Sequence, residues 1–92
     1  MKQIEVVLAR LKELYPRNAR SVKSGRKLSG PDYYGCMNSG KEPTIARAGD
    51  MWRVSEGYSN TKYIGDPKEA WTAYLRLVRK VCKYNDEARA EV

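Results

Sequence analysis

The sequence predicts an α+β domain in which two helices pack on one face of a three- or four-stranded antiparallel sheet, in the order α-β-β-β-(β)-α. Three observations predict it. Apolar residues recur at helical spacing near both ends of the chain, short β-favouring stretches separated by turn residues fill the middle, and 92 residues leave room for one domain and one modest core. The expected layout within a single domain over 1–92 is a helix over 2–15, a basic loop over 17–32, antiparallel strands over 33–64 and a helix over 66–90.

The first helix rests on Ile4, Val7, Leu8, Leu11, Leu14 and Tyr15, which fall on one face at i, i+3, i+4, i+7 spacing, with Lys2, Glu5, Lys12 and Glu13 mainly on the other. Pro16 disfavours helical geometry at Tyr15 and ends it. Residues 17–31 show neither period. Gly25, Gly30, Pro31 and three serines mark a loop there, with room for a short strand near Ser21–Lys23, since Val22 and Leu28 each gain from burial.

Tyr33–Met37 reads as the first strand, followed by the turn signal Asn38-Ser39-Gly40. Thr44–Ala48 and Met51–Ser55 flank Gly49-Asp50, a two-residue hairpin turn. That register pairs Ile45 with Val54 and Arg47 with Trp52 on an apolar face. Thr44 then pairs with Ser55 and Ala46 with Arg53 on a polar face, as a sheet covered on one side requires. Gly57 and Asn60 mark another turn before a fourth strand, Thr61–Ile64.

Asp66 is placed as the N-cap of the last helix, with Pro67 at its first position and Glu69 at N3. Ala70, Trp71, Tyr74, Leu75, Val78, Val81 and Cys82 trace its apolar stripe. Truncating Trp71 is expected to destabilise the fold by about 3–5 kcal/mol, the range for a buried aromatic. Arg76, Arg79, Lys80 and Lys83 form a second stripe on a different side.

Function follows first from charge and from what is missing. Eighteen Lys and Arg against 11 Asp and Glu give +7, which favours an anionic partner. Arg17, Arg20, Lys23, Arg26, Lys27 and Lys41 face one acid, Asp32, between residues 17 and 41, so most of the excess is concentrated there. Tyr33 and Tyr34 flank this loop and add aromatic surface beside the phosphate-seeking charges. The expected contact set is therefore Arg17, Arg20, Lys23, Arg26, Lys27, Tyr33 and Tyr34, joined by Arg76, Arg79, Lys80 and Lys83. Cations toward a helix C-terminus also serve the dipole, which is the plainer role for the last four.

No histidine is present, which removes Ser-His-Asp and Cys-His nucleophiles and the commonest zinc ligand. Two cysteines are too few for a thiolate cage. Cys36 and Cys82 read as reduced, buried thiols, with a disulfide between sheet and last helix as the other reading. The carboxylates have turn, capping or solvated positions, and Ser24-Gly25-Arg26-Lys27 lacks the upstream glycine of a phosphate loop. The expectation is a binding protein and no enzyme, with no metal, cofactor or small-molecule substrate. No run approaches the roughly 18 apolar residues of a membrane span, and Glu5 interrupts any signal-like start, so a cytoplasmic protein is expected.

The element order is similar to the double-stranded-RNA-binding domain. Lys68 and Ala70 in Asp66-Pro67-Lys68-Glu69-Ala70-Trp71 match its helix-opening signature, while the other lysines of that signature are absent. The chain more closely resembles small phage-encoded anti-CRISPR proteins, through Ala48-Gly49-Asp50-Met51-Trp52-Arg53-Val54 and Tyr63-Ile64-Gly65-Asp66-Pro67-Lys68-Glu69-Ala70-Trp71. That resemblance implies an inhibitor docked on a CRISPR-Cas effector complex, on its protein or its guide RNA, where target nucleic acid should go. The alternative is a free-standing nucleic-acid-binding domain.

Overall fold

The computed structural model describes residues 4–6, 9, 27–35 and 39–90. Residues 4–6 and 9 are helical. β1 (Leu28–Ser29), β2 (Pro43–Ala48), β3 (Met51–Glu56) and β4 (Ser59–Ile64) form an antiparallel sheet in the order β1-β2-β3-β4, and α1 (Pro67–Ala90) follows. The fold is α+β, with β-strands and helix where their local chemistry calls for them. The rest of the expected first helix, most of the basic loop and the 36–38 segment lie outside the described residues.

The β2–β3 hairpin has the register that its alternation predicts: Ile45 opposite Val54, Arg47 opposite Trp52, Thr44 opposite Ser55 and Ala46 opposite Arg53. Gly49 has φ +63° and Asp50 is not in the left-handed region, the II′ pattern whose twist suits a two-residue hairpin. The β3–β4 turn places Gly57 at φ +60°. Its N–H donates to the Glu42 carbonyl at 2.7 Å, and the Tyr58 N–H donates to the Gly40 carbonyl at 3.1 Å. A Cβ on Gly57 would stand 1.7 Å from the Gly40 oxygen, so no other residue fits this turn without moving the backbone. Just beyond, Asn60 and Thr61 together oppose Ser55, a bulge for which Asn60 takes φ +52°.

The expected strand over Tyr33–Met37 is not formed in its described part. Tyr33 is outside any strand, and Tyr34-Gly35 is a turn with Gly35 at φ +80°. The physical reason lies in the amides. The Tyr33 N–H donates to the Asp32 carboxylate at 2.8 Å and the Tyr34 N–H to the Asn85 side-chain oxygen at 2.6 Å, so side chains take donors that a ladder would have used. Among the described residues the first strand is Leu28–Ser29, which falls within the expected 17–32 loop. Leu28 pairs with Ile45 and its half-buried side chain joins the core.

α1 starts as its capping residues dictate. The Asp66 carboxylate accepts from the backbone N–H of Lys68 and of Glu69, both at 3.3 Å. Its buried stripe is Ala70, Tyr74, Val78, Val81, Cys82 and Asn85. Ala70, Tyr74, Val78 and Cys82 pack on Ile45, Trp52 and Val54 from the inner sheet face, and Ile4 packs against the same cluster, so both helical segments cover one side of the sheet. Trp71 and Leu75, expected on the stripe, are half-buried at its border. Cys82 is a buried free thiol, while Cys36 lies outside the described residues. Burial, reinforced by the charge of Asp86, raises its pKa.

The other sheet face differs from the open polar surface expected. Thr44, Ala46 and Ser55 are buried. Two of them satisfy each other: the Thr44 and Ser55 hydroxyls are hydrogen-bonded, and Ser55 also donates to the Gly57 carbonyl at 3.0 Å. Cross-strand hydroxyl pairs let polar side chains occupy a buried ladder position without a desolvation loss.

Candidate functional site

Two surfaces collect the chemistry. On α1, about 100° per residue puts Arg76, Arg79, Lys80 and Lys83 within an arc of about 100°, centred opposite the buried stripe. All four are exposed. They project from a 24-residue helix that is anchored along its whole inner side, so the stripe is held on a rigid support. Lys80 reaches Glu56 of β3 at 3.5 Å, an exposed pairing of small energetic weight. Arg76 lines a groove between α1 and the β3–β4 edge together with Glu56, Lys62, Ala73 and Leu77, so Lys62 adds a cation on the sheet edge beside the carboxylate that Lys80 meets.

The second surface is on the outer sheet face. A concavity of about 320 Å³ is lined by Lys27, Glu42, Thr44, Arg53, Ser55, Gly57, Tyr58, Thr61 and Tyr63. Alternation along β3 sends Arg53 to this side because Trp52 and Val54 point into the core, and pairing puts Tyr63 directly opposite Arg53. Tyr58 is 91% exposed and Tyr63 59% exposed. Arg53, Tyr58 and Tyr63 had no place in the expected contact set. They come from two strands and a turn, and only the register brings them together. The available signal was Arg53 on the polar side of a hairpin whose pairing was already readable.

Of the residues expected to bind, Lys27 is exposed and joins this outer concavity. Arg17, Arg20, Lys23 and Arg26 lie outside the described residues. Tyr33 and Tyr34 are drawn to the end of α1: Tyr33 meets Tyr84 edge-on at a ring-centroid separation of 5.1 Å, and the Arg89 guanidinium sits 5.2 Å from the Tyr34 ring centre. Those rings therefore already have neighbours, and they stand with the helix rather than with Lys27. Asp32, the single acid of the basic stretch, is equally engaged. Its carboxylate accepts from the Ser39 hydroxyl, from the Tyr33 N–H and, at 3.2 Å, from the Ser39 N–H. The Ser39 hydroxyl and then the Tyr33 amide hold its pKa below the ordinary value.

No protein-family model matches this chain, nor does any curated protein or any solved structure. The functional reading rests on the surfaces themselves. Among the described residues no group of three or more His, Cys, Asp and Glu side chains gathers as metal ligands do, and no helix is long and apolar enough to cross a membrane. Arg47, a cross-strand partner of Trp52, is spent on structure: its guanidinium lies 5.2 Å from the Trp52 ring centre and its Nε donates to the Gly49 carbonyl at 2.7 Å.

Proposed function

We propose that this chain is a non-enzymatic binding protein of the anti-CRISPR kind, which docks on a bacterial RNA-guided CRISPR-Cas complex in the host cytoplasm and blocks access of target nucleic acid. The observation that carries the reading is the α1 stripe. Arg76, Arg79, Lys80 and Lys83 stand on the side of a rigid helix turned away from the core, in a chain of net charge +7. An array of this kind matches an anionic groove or a guide-RNA backbone and speeds encounter with it. The resemblance of the 48–54 and 63–71 stretches to anti-CRISPR proteins supplies the class of partner.

A free-standing nucleic-acid-binding domain would use the same cations, and salt separates the two. A stoichiometric inhibitor binds its effector complex tightly and bare duplex feebly, because shape and anchoring side chains add to charge only at the true interface. A free-standing binder takes bare duplex on its own, with a log–log salt slope of about −0.9 per phosphate contact. The test compares wild type with the Arg76→Glu, Arg79→Glu, Lys83→Glu triple variant on purified effector complex and on duplex DNA. Loss of complex binding in a variant that melts normally supports the reading. Sub-micromolar wild-type binding to bare duplex in physiological salt moves it to the free-standing class, and full activity in the triple variant removes α1 from both.

A further inference from the structure

We infer that the outer sheet face is a stacking platform for single-stranded nucleic acid, with Tyr63 and Tyr58 receiving bases and Arg53 and Lys27 receiving the backbone. The core lies on the opposite side of the sheet, so neither tyrosine is needed to fill it. Tyr74 is fully buried there while Tyr58 and Tyr63 are 91% and 59% exposed. Two aromatic rings left in water beside two cations, around one concavity, are the pairing that unpaired bases and their phosphates require.

The layout orders the contacts. Tyr63 on β4 and Arg53 on β3 are direct cross-strand partners, so a base on the Tyr63 ring has a guanidinium beside it for the neighbouring phosphate. Lys27 stands just before β1, at the other edge of the sheet. Three strand spacings of about 4.8 Å separate the two edges, roughly 14 Å in all, which suits a strand lying across the sheet better than a single anion. The Thr44 and Ser55 hydroxyls on the floor are committed to each other and to Gly57. Glu42 and Thr61 on the wall offer an acceptor and a hydroxyl to base edges.

A duplex keeps its bases stacked internally and offers these rings nothing. An acidic peptide would satisfy Arg53 and Lys27 but leave both tyrosines unused. Single strands use both features at once. This surface lies across the sheet from α1, so the inference does not rest on the α1 stripe.

The test is fluorescence anisotropy of the full chain with a labelled oligouridine of about eight nucleotides. Wild type is expected to bind. Tyr63→Ala and Tyr58→Ala should each weaken binding about tenfold, as loss of one stacked base does. Tyr63→Phe should bind as wild type, and Arg53→Gln should reduce the log–log salt slope by about 0.7. The Arg76→Glu, Arg79→Glu, Lys83→Glu variant should keep its sensitivity to Tyr63→Ala, which separates failure of this inference from failure of the α1 reading. Should Tyr63→Ala melt early, Tyr58→Ala decides alone. No binding of the oligonucleotide, unchanged affinity in the alanine variants, or equally strong competition by duplex or by polyglutamate overturns the inference.

Discussion

Asn85 and Tyr34 stand 51 residues apart in sequence, and the Asn85 side-chain oxygen accepts a 2.6 Å hydrogen bond from the Tyr34 backbone N–H. The other end of the same amide donates to the Asp32 carbonyl at 3.0 Å. A buried polar side chain on the inner stripe of α1 thus holds the backbone of residues 32–34 from both sides. This clamp, and not a β-ladder, fixes the segment that leads from β1 toward β2.

Asn85→Ala is expected to destabilise the fold by about 2–3 kcal/mol, because it leaves a part-buried N–H and C=O without their partner. Asn85→Asp should be worse at neutral pH. It keeps an acceptor for Tyr34 but turns a carboxylate toward the Asp32 carbonyl and buries its charge. Chemical denaturation of both variants checks the order. An Asn85→Ala protein as stable as wild type would mean the clamp is not needed.

The two turn glycines should separate strain from collision. Gly49 has φ +63° with nothing within 4 Å of an added Cβ, so Gly49→Ala pays only for the left-handed backbone, about 1–2 kcal/mol. Gly57 has φ +60° and the Gly40 carbonyl where its Cβ would go. Gly57→Ala must therefore open the contact between the β3–β4 turn and residues 40–42, and should lose more than about 3 kcal/mol. Melting curves of the two variants side by side test this, and equal losses would contradict it.

What was legible in the sequence was what local chemistry decides. The β2–β3 register could be read because a glycine turn sits between two runs whose side chains alternate. The start of α1 could be read because Asp66, Pro67 and Glu69 are adjacent. Tyr33–Met37 misled because aromatic and β-favouring residues mark any half-buried extended segment, while the competing partner for Tyr34 sits on a helix 51 residues away. Trp71 and Tyr74 are three apart on one stripe, and periodicity alone does not say which is central. On the binding side, the α1 cations were visible as a helical stripe. Arg53, Tyr58 and Tyr63 were not, since strand pairing assembles them.

Asp32 should make its contacts with Tyr33 and Ser39 sensitive to acid. Its folded-state pKa lies below the unfolded value of about 3.9, so its contribution is fully present above that value and is lost as pH falls through the folded pKa. Amide exchange of Tyr33 and Ser39, corrected for intrinsic rates, should therefore rise below about pH 4. Asp32→Asn should show the raised exchange already at neutral pH. Protection that stays constant through the acid range would argue against the carboxylate as its source.

Tyr74 and Trp71 give the sharpest test of the core. Their rings meet at 5.2 Å between centroids, but Tyr74 is fully buried and Trp71 half-buried, so the larger loss moves from Trp71, where sequence placed it, to Tyr74. Tyr74→Ala should lose about 3–5 kcal/mol and Trp71→Ala about 1–3 kcal/mol, in proportion to the area each removes from the interior. Tyr74→Phe should behave differently from both. The Tyr74 hydroxyl has no hydrogen-bond partner among the described residues, and burial pushes its pKa far above the ordinary value, so it brings a desolvated polar atom into the core without a compensating bond. Removing it leaves the ring within the core cluster that also holds Val78, Ile45, Trp52 and Val54, and stability should stay level or rise by up to about 1 kcal/mol. Denaturant midpoints at constant slope measure all three. A Tyr74→Phe protein destabilised by more than about 1 kcal/mol would show that the hydroxyl does bond a partner in solution.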